Sequence, residues 1–550
     1  IHTTPLPPSP PSFSLNDSPP SPSLSNLSLA PPLSPSSSAS SSPLQLSHSF
    51  SSSVLKPSPS PALPLSLPPS LYRALTASLS FPLPPYGAQI FEDNCVPVVH
   101  RFGNANAEME DQAIGAIILD KCAAIFGREI LSEMLPLIVS LSQNATFRVR
   151  QTIAGALGVF AEVLGEKQTE QDLLPLFNTL SNDKIWRVRK ECVAATLSLS
   201  RVLPVELSKP FLLVRYEQFV DDASRWVRTA AYQNIGPFIA TFKGEDIDDD
   251  FLILFTEMIS PKMKSKVGDP FISECCSFSF PGVFQTIGKD RWEQIKECYQ
   301  NLVKDPQWKV RRSLSYSIHD IAQIAGPEIT KNELLECWKT FFTDLDLVKS
   351  GVIKNLAPFV EVLPADIREE EFKLALETIE NEQENWRFRK YLARQLARLS
   401  ALIPTLVESF FLPCALRLSF DPVAEVRKYA VTQFGLMIPL LDDKSIQEFT
   451  TTLMSKSSPP STFYERQIFV DVCGSMIDQV NVQFFENTFM NTFFSLASDP
   501  VPNVRLLVAA ILAKKMNRHS KWSAHQKKVT ELLNQLKMDK DGDVVAAAAQ

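Results

Sequence analysis

Three aromatic–cation dipeptides, Trp186-Arg187, Trp308-Lys309 and Trp386-Arg387, stand just ahead of a further arginine at Arg189, Arg311 and Arg389. A flat ring beside a cation makes or breaks no covalent bond. It recognises surfaces, since Trp and Arg are enriched among the residues that dominate binding interfaces. Such a pair either packs under a neighbouring element, the commoner use, or faces outward toward a partner.

Bond-making chemistry has less to work with. There is no G-x-x-x-x-G-K-[ST], H-E-x-x-H or G-x-S-x-G in the chain. The 6 His are scattered, and His319-Asp320 falls inside a core-patterned helix, which points to a structural imidazole. Asp246, Asp248, Asp249 and Asp250 lack the Gly and distal Glu of a calcium loop and read as a solvated connector. The 9 Cys never form C-x-x-C and read as small core residues of a reduced protein. The basic run Lys514–Lys528, with Trp522 among Lys, Arg and His, reads as an exposed connection between repeats or a contact for acidic partners.

Composition narrows the classes further. The first 70 residues are dominated by Ser and Pro, with Asp17 and Lys56 their only charged side chains, too little to build a core. A disordered tail is expected over 1–90, and its Ser-Pro pairs (Ser9-Pro10, Ser42-Pro43) suit phosphorylation or a polyproline II contact. A transit peptide is disfavoured by the scarcity of Arg. With 54 basic against 61 acidic residues, a wholesale nucleic-acid binder is disfavoured. No apolar run approaches the roughly 18 residues needed to cross a bilayer.

The elements that must position the aromatic pairs are legible as a repeat. Arg150, Arg189, Arg228, Arg311, Lys349, Arg389, Arg427, Arg466 and Arg505 are separated by 39, 39, 83, 38, 40, 38, 39 and 39 residues. The 83 conceals a worn copy, marked by Ile272, Cys276, Phe280 and Val283, with extra residues expected around Gly244–Asp250. Apolar residues after each Val-Arg lie on one helical stripe, as in Val149, Ile153, Leu157 and Phe160. An upstream apolar segment such as Leu173–Leu180 supplies a second helix, which its proline should kink. Single helices of this length are marginal in water, so stacked pairs are required to bury a core.

An acidic residue recurs before each arginine: Asp183, Asp222, Asp305, Asp421, Asp499 and Asp539, with Asn144 in the same role. It stands where one helix gives way to the next and is expected to cap backbone N–H groups. The arginine is within reach of an acid of its own or an adjacent repeat. A structural ladder is therefore expected from Asp183, Arg189, Asp222, Arg228, Asp305, Arg311, Arg389, Asp421, Arg427, Asp499 and Arg505.

This period and its D-x-x-W-x-V-R turn resemble HEAT repeats, most closely those of the protein phosphatase 2A scaffold and its relatives. Ala223–Phe242, Cys276–Gly288, Asp305–Gly326 and Asn385–Leu396 resemble the protein phosphatase 4 regulatory subunit 1 family, including the irregular Phe-Pro-Gly at Phe280–Gly282. The similarity runs from Cys95 to Ala548, with the family's acidic insertion reduced to Gly244–Pro270 and its earliest repeats replaced by the Ser/Pro tail. The resemblance implies that Trp308, Lys309, Trp386 and Arg387, together with Trp186 and Arg187, touch a phosphatase catalytic subunit.

The expected fold is all-α, an armadillo-like superhelix of about eleven HEAT-type helix pairs. It divides into a tail at 1–90, a first block at 91–243, an acidic connector at 244–270 and a second block at 271–550. The expected function is a non-catalytic regulatory or scaffold subunit of a PP2A-like phosphatase, protein phosphatase 4 by resemblance. It would act on phosphoprotein substrates and need no cofactor, metal, nucleic acid or membrane, in the cytoplasm and secondarily the nucleus. Two rivals predict other behaviour: a HEAT-repeat nuclear transport receptor would bind Ran, and an unrecognised hydrolase or transferase would turn over substrate alone.

Overall fold

Val149, Ile153, Leu157 and Phe160 are all fully buried along the helix Phe147–Leu164, and Val310, Leu314, Ile318 and Ile321 are buried along Trp308–Ile329. The stripe reads as it does because each second helix is covered on both sides by its counterparts. Phe147–Leu164 packs between Met109–Glu133 and Trp186–Val202, while the first helix of each pair, such as Leu174–Ser181, lies against its own second helix. The computed structural model describes residues 96–104, 107–260, 271–381, 384–457, 461–517 and 519–550. They fall within one unit, Leu83–Gln550; the tail expected over 1–90 lies outside the described residues.

The described residues form an all-α solenoid. Eleven pairs can be followed, from Leu135–Ser142 with Phe147–Leu164 to Gln526–Leu536 with Gly542–Ala548. Their core is continuous and strongly aromatic. Tyr216 and Phe238 stack at 4.5 Å and Trp338 and Phe359 at 4.8 Å, all buried. Each large side chain so covered contributes on the order of 2 kcal/mol of transfer free energy.

Glycine ends several second helices. Gly127, Gly165, Gly288 and Gly326 adopt φ of 73, 76, 80 and 80°, a region open to Gly at little cost. Gly127, Gly165 and Gly326 stand 15 residues after Gln112, Arg150 and Arg311, and the same interval before Gly288 lands on Ser273. Ser273 therefore occupies the arginine position of the worn repeat. It lies 45 residues after Arg228 and 38 before Arg311, so the surplus sits upstream of Ser273. Ile272, Cys276, Phe280 and Val283 are buried on the helix Phe271–Ile287.

The prolines of two first helices stand beside widened turns. Pro175 enters Leu174–Ser181 at its first turn, after a π turn at Thr169–Leu173, and Pro413 follows Val407–Phe411 in the same way. Widening the turn absorbs both the missing N–H and the ring's clash with the preceding carbonyl. One expectation is corrected: the acidic stretch is not merely solvated. Asp248 caps Asp249–Thr256, accepting from Phe251 N–H, and pairs with Lys209 at 2.7 Å, while Asp249 meets Arg291 at 3.3 Å.

Candidate functional site

The turns between paired helices share one construction. Asp183 Oδ1 accepts from Ile185 N–H at 2.8 Å, Asp222 from Ser224 at 2.7 Å, Asp305 from Gln307 at 2.9 Å and Asp499 from Val501 at 2.8 Å. Asn144 does the same for Thr146 at 2.8 Å. The expected helix cap is thus an Asx turn instead, closing the bend before the helix begins. The N-cap residue itself is Ile185 ahead of Trp186–Val202 and has no side-chain cap bond.

The remaining carboxylate capacity faces the preceding repeat. Arg189 donates from Nε to Asp222 Oδ2 at 2.7 Å and from Nη2 to Oδ1 at 2.7 Å, while its Nη1 donates to the Asp183 carbonyl at 2.7 Å. Each such arginine holds its own turn with one nitrogen and the next turn with two. Arg150–Asp183, Arg311–Asp344, Arg389–Asp421, Arg466–Asp499 and Arg505–Asp539 repeat the pair at 2.5 to 2.6 Å. The two-pronged geometry fixes direction as well as distance. Arg311 holds the Asp344 carboxyl below its ordinary range, with burial opposing, and Arg505 does the same for Asp539.

Asp344 is absent from the sequence-based ladder because it stands five, not six, residues before Lys349; this turn is one residue shorter. At the N-terminal end Gln112 takes the arginine's place, and Asn144 Nδ2 donates to its Oε1 at 2.6 Å. Two expected members differ. Arg228 has Val267 at the sequence position of the next acid, and its buried Nε has no hydrogen-bond partner among the described residues. Arg427 finds Pro460 there and instead lies over the Tyr464 ring at 5.0 Å.

On this scaffold the aromatic pairs share one edge. Trp186, Trp308 and Trp386 are each the first residue of their second helix, three positions before the ladder residue. They do not pack under a neighbouring repeat: Trp186 and Trp386 are half-buried, Trp308 is exposed, and Arg187, Lys309 and Arg387 are exposed. Trp186 stacks on Trp226 of the next repeat at 6.1 Å, and Arg187 lies over Trp186 at 4.9 Å and Phe147 of the preceding repeat at 6.0 Å. Arg387 and Lys390 lie over Trp386 at 4.9 and 5.3 Å. Lys309 approaches Glu274 at 3.9 Å, and exposed Leu345 and Leu347 occupy the turn between Trp308 and Trp386. Trp226 escapes the sequence pattern because it stands two residues before its arginine.

Residues 276–379 match the family described as Protein phosphatase 4 regulatory subunit 1 middle domain. Serine/threonine-protein phosphatase 4 regulatory subunit 1 of Mus musculus is 34% identical over 302 residues, covering 53% of this chain and 32% of the mouse protein. The Homo sapiens protein of that name gives the same figures. The chain resembles protein phosphatase 4 regulatory subunit 1. It spans about a third of the length of those relatives, 32%. The part matching the regulatory subunit 1 middle domain includes Trp308, Lys309, Leu345, Leu347 and the Arg311–Asp344 pair, and stops short of Trp386.

Solved structures give the fold alone. Importin beta from an ammonium sulfate condition aligns with a TM-score of 0.52 at 11% identity, over 86% of this chain and 63% of that one. A Kap95p structure concerned with binding to RanGDP gives 0.57 at 11%, over 87% and 65%.

The other candidates serve packing. His319 is half-buried; burial first, then Lys354 and Arg398, push its pKa down, and Asp320 lies 3.3 Å from Nε2. In the basic run, Trp522 is fully buried and meets Phe485 edge-on at 5.5 Å, Lys515 pairs with Asp478 at 2.5 Å, and Lys521 donates to the Val480 carbonyl at 2.7 Å. That run is a clamp between repeats more than an exposed connection. Burial holds the thiols of Cys192 and Cys473 protonated and pushes Cys337 up to about 11. Among the described residues no three His, Cys, Asp or Glu side chains gather to hold a metal, and no helix is long and apolar enough to cross a membrane.

Proposed function

We propose that this solenoid is a non-catalytic regulatory and scaffold subunit of a PP2A-like serine/threonine phosphatase, most specifically protein phosphatase 4. The observation that carries the proposal is the outward row of aromatic–cation pairs at the starts of the second helices, in a chain similar to regulatory subunit 1. Phe147, Trp186, Arg187 and Trp226 offer a rigid strip of ring faces and guanidinium across three repeats. Such groups lose little conformational freedom on binding and bury large area.

The mechanism is positional. The catalytic subunit docks on the ridge, brings its own metal chemistry, and the rest of the array limits which phosphoproteins reach it. No residue here is assigned to bond-making, and the complex is proposed to work in the cytoplasm and secondarily the nucleus.

The test is affinity purification of the tagged chain, followed by a phosphatase assay and identification of co-purifying catalytic subunits. Recovery of a PP2A-family catalytic subunit, lost on changing Trp186 and Trp226 to Ala, is expected. Its absence overturns the proposal. Nucleotide-dependent capture of Ran would favour the transport-receptor reading, for which only the fold resemblance speaks.

A further inference from the structure

A second surface lies on the second helices away from the turns. Five residues past Arg311, Lys349 and Arg389 stand Tyr316, Lys354 and Arg394, the same register in three successive helices. The side chains at and beside this register interleave. Arg312 lies over the Tyr316 ring at 5.1 Å and Lys354 over the same ring at 5.3 Å, while Lys390 lies over Tyr391 at 5.7 Å and Arg394 over Tyr429 at 5.6 Å. Gly351 makes the close approach possible, because a Cβ there would come within 2.8 Å of Tyr316 Cδ2. The Tyr391 hydroxyl is pushed up by burial and then by the adjacent Tyr316 phenol, with Arg387 and Arg312 pulling it down.

These cations are unneutralised. Arg312, Lys354 and Arg394 are exposed and form no ion pair among the described residues. The helices Trp386–Ala393 and Leu396–Leu402 hold Arg387, Arg389, Lys390 and Arg398 and no acid, with Arg394 at the end of the first. Of the nearby acids, Glu361 is paired with Arg398, while Asp320 lies 3.3 Å from His319 Nε2. In a chain of formal net charge -7, a row of open cations backed by tyrosines is a local reversal of sign.

The spacing selects the occupant. Packed helices stand roughly 8–10 Å apart, so one cation per helix matches about every third residue of an extended strand at ~3.3 Å per residue. A single phosphate would call for convergent guanidinium groups, whereas here the charge is distributed along a line.

We propose that the face running from Arg312 to Tyr429 docks an extended acidic peptide of a protein partner, with carboxylates on Arg312, Lys354 and Arg394 and its backbone over Tyr316, Tyr391 and Tyr429. The inference stands apart from the phosphatase reading, since the turn ridge takes no part in it.

The experiment is fluorescence anisotropy of the purified chain with a labelled peptide of about twelve residues carrying Glu at every third position, the spacing set by strand rise. Saturable binding that weakens with salt is expected. The double variant K354E/R394E should lower affinity by about tenfold or more, as two attractions become two repulsions. Y429A should weaken binding without altering the circular dichroism spectrum. K444E/K540E, with the same charge change at exposed lysines elsewhere, should leave binding intact. Equal losses in both double variants, no loss in K354E/R394E, or tighter binding of a singly phosphorylated peptide lacking Glu would each overturn the proposal.

Discussion

Arg466 grips Asp499 of the following repeat with two bonds, Nε to Oδ2 at 2.6 Å and Nη2 to Oδ1 at 3.1 Å, and the two side chains are only 10% and 3% exposed. This is the most deeply buried rung of the ladder. Deleting one partner leaves a charge stranded in the turn.

Asp499→Ala is accordingly expected to destabilise the array by about 3 kcal/mol, the cost of breaking a buried pair from one side. Urea unfolding followed by circular dichroism measures it. A change below about 0.5 kcal/mol would mean that the rung is ornamental. Arg228→Ala, by contrast, removes a guanidinium that grips no carboxylate across the repeat boundary among the described residues, and should cost much less.

The ladder also predicts an acid limit. Asp344 and Asp539 have carboxyls held below their ordinary range by Arg311 and Arg505, so their contribution is present above the unfolded value near pH 4 and lost as pH falls through the lower folded value. Stability should therefore drop below about pH 4, and Asp344→Asn should flatten part of that drop. An unchanged slope in the variant would count against the assignment.

Asp471 predicts the opposite trend. Burial pushes its carboxyl up to about 6, only weakly opposed by Arg427. A raised acid stabilises the fold fully below its unfolded value, and that contribution is lost as pH rises through about 6. Asp471→Asn should raise stability at pH 7.5 by about 1–2 kcal/mol, with the gain vanishing near pH 4. Melting curves at the two pH values decide it; a gain that is constant with pH would refute the titration.

The ridge separates binding from stability. Trp226 is 57% exposed, so Trp226→Ala should shift the melting point little. On the phosphatase reading it should weaken capture of the catalytic subunit by about 2 kcal/mol, the scale of a hot-spot aromatic. Loss of folding with unchanged capture would invert the assignment.

What the sequence determined by itself was the periodic part. A stripe such as Val310, Leu314, Ile318 and Ile321 is dictated by helical pitch and burial, both local in chain distance. The aspartate and arginine positions were equally legible, because every turn must solve the same hydrogen-bonding problem. Tertiary structure decided who pairs with whom. Arg311 reaches Asp344 and Arg427 turns to Tyr464, since which group stands opposite each arginine is decided only once helices are stacked. It also decided which way Trp186 faces and that Tyr316, Lys354, Arg394 and Tyr429 form one row. Those neighbours are 35 to 40 residues apart in the chain, and only the lateral packing of helices, ~8–10 Å apart, brings them within reach.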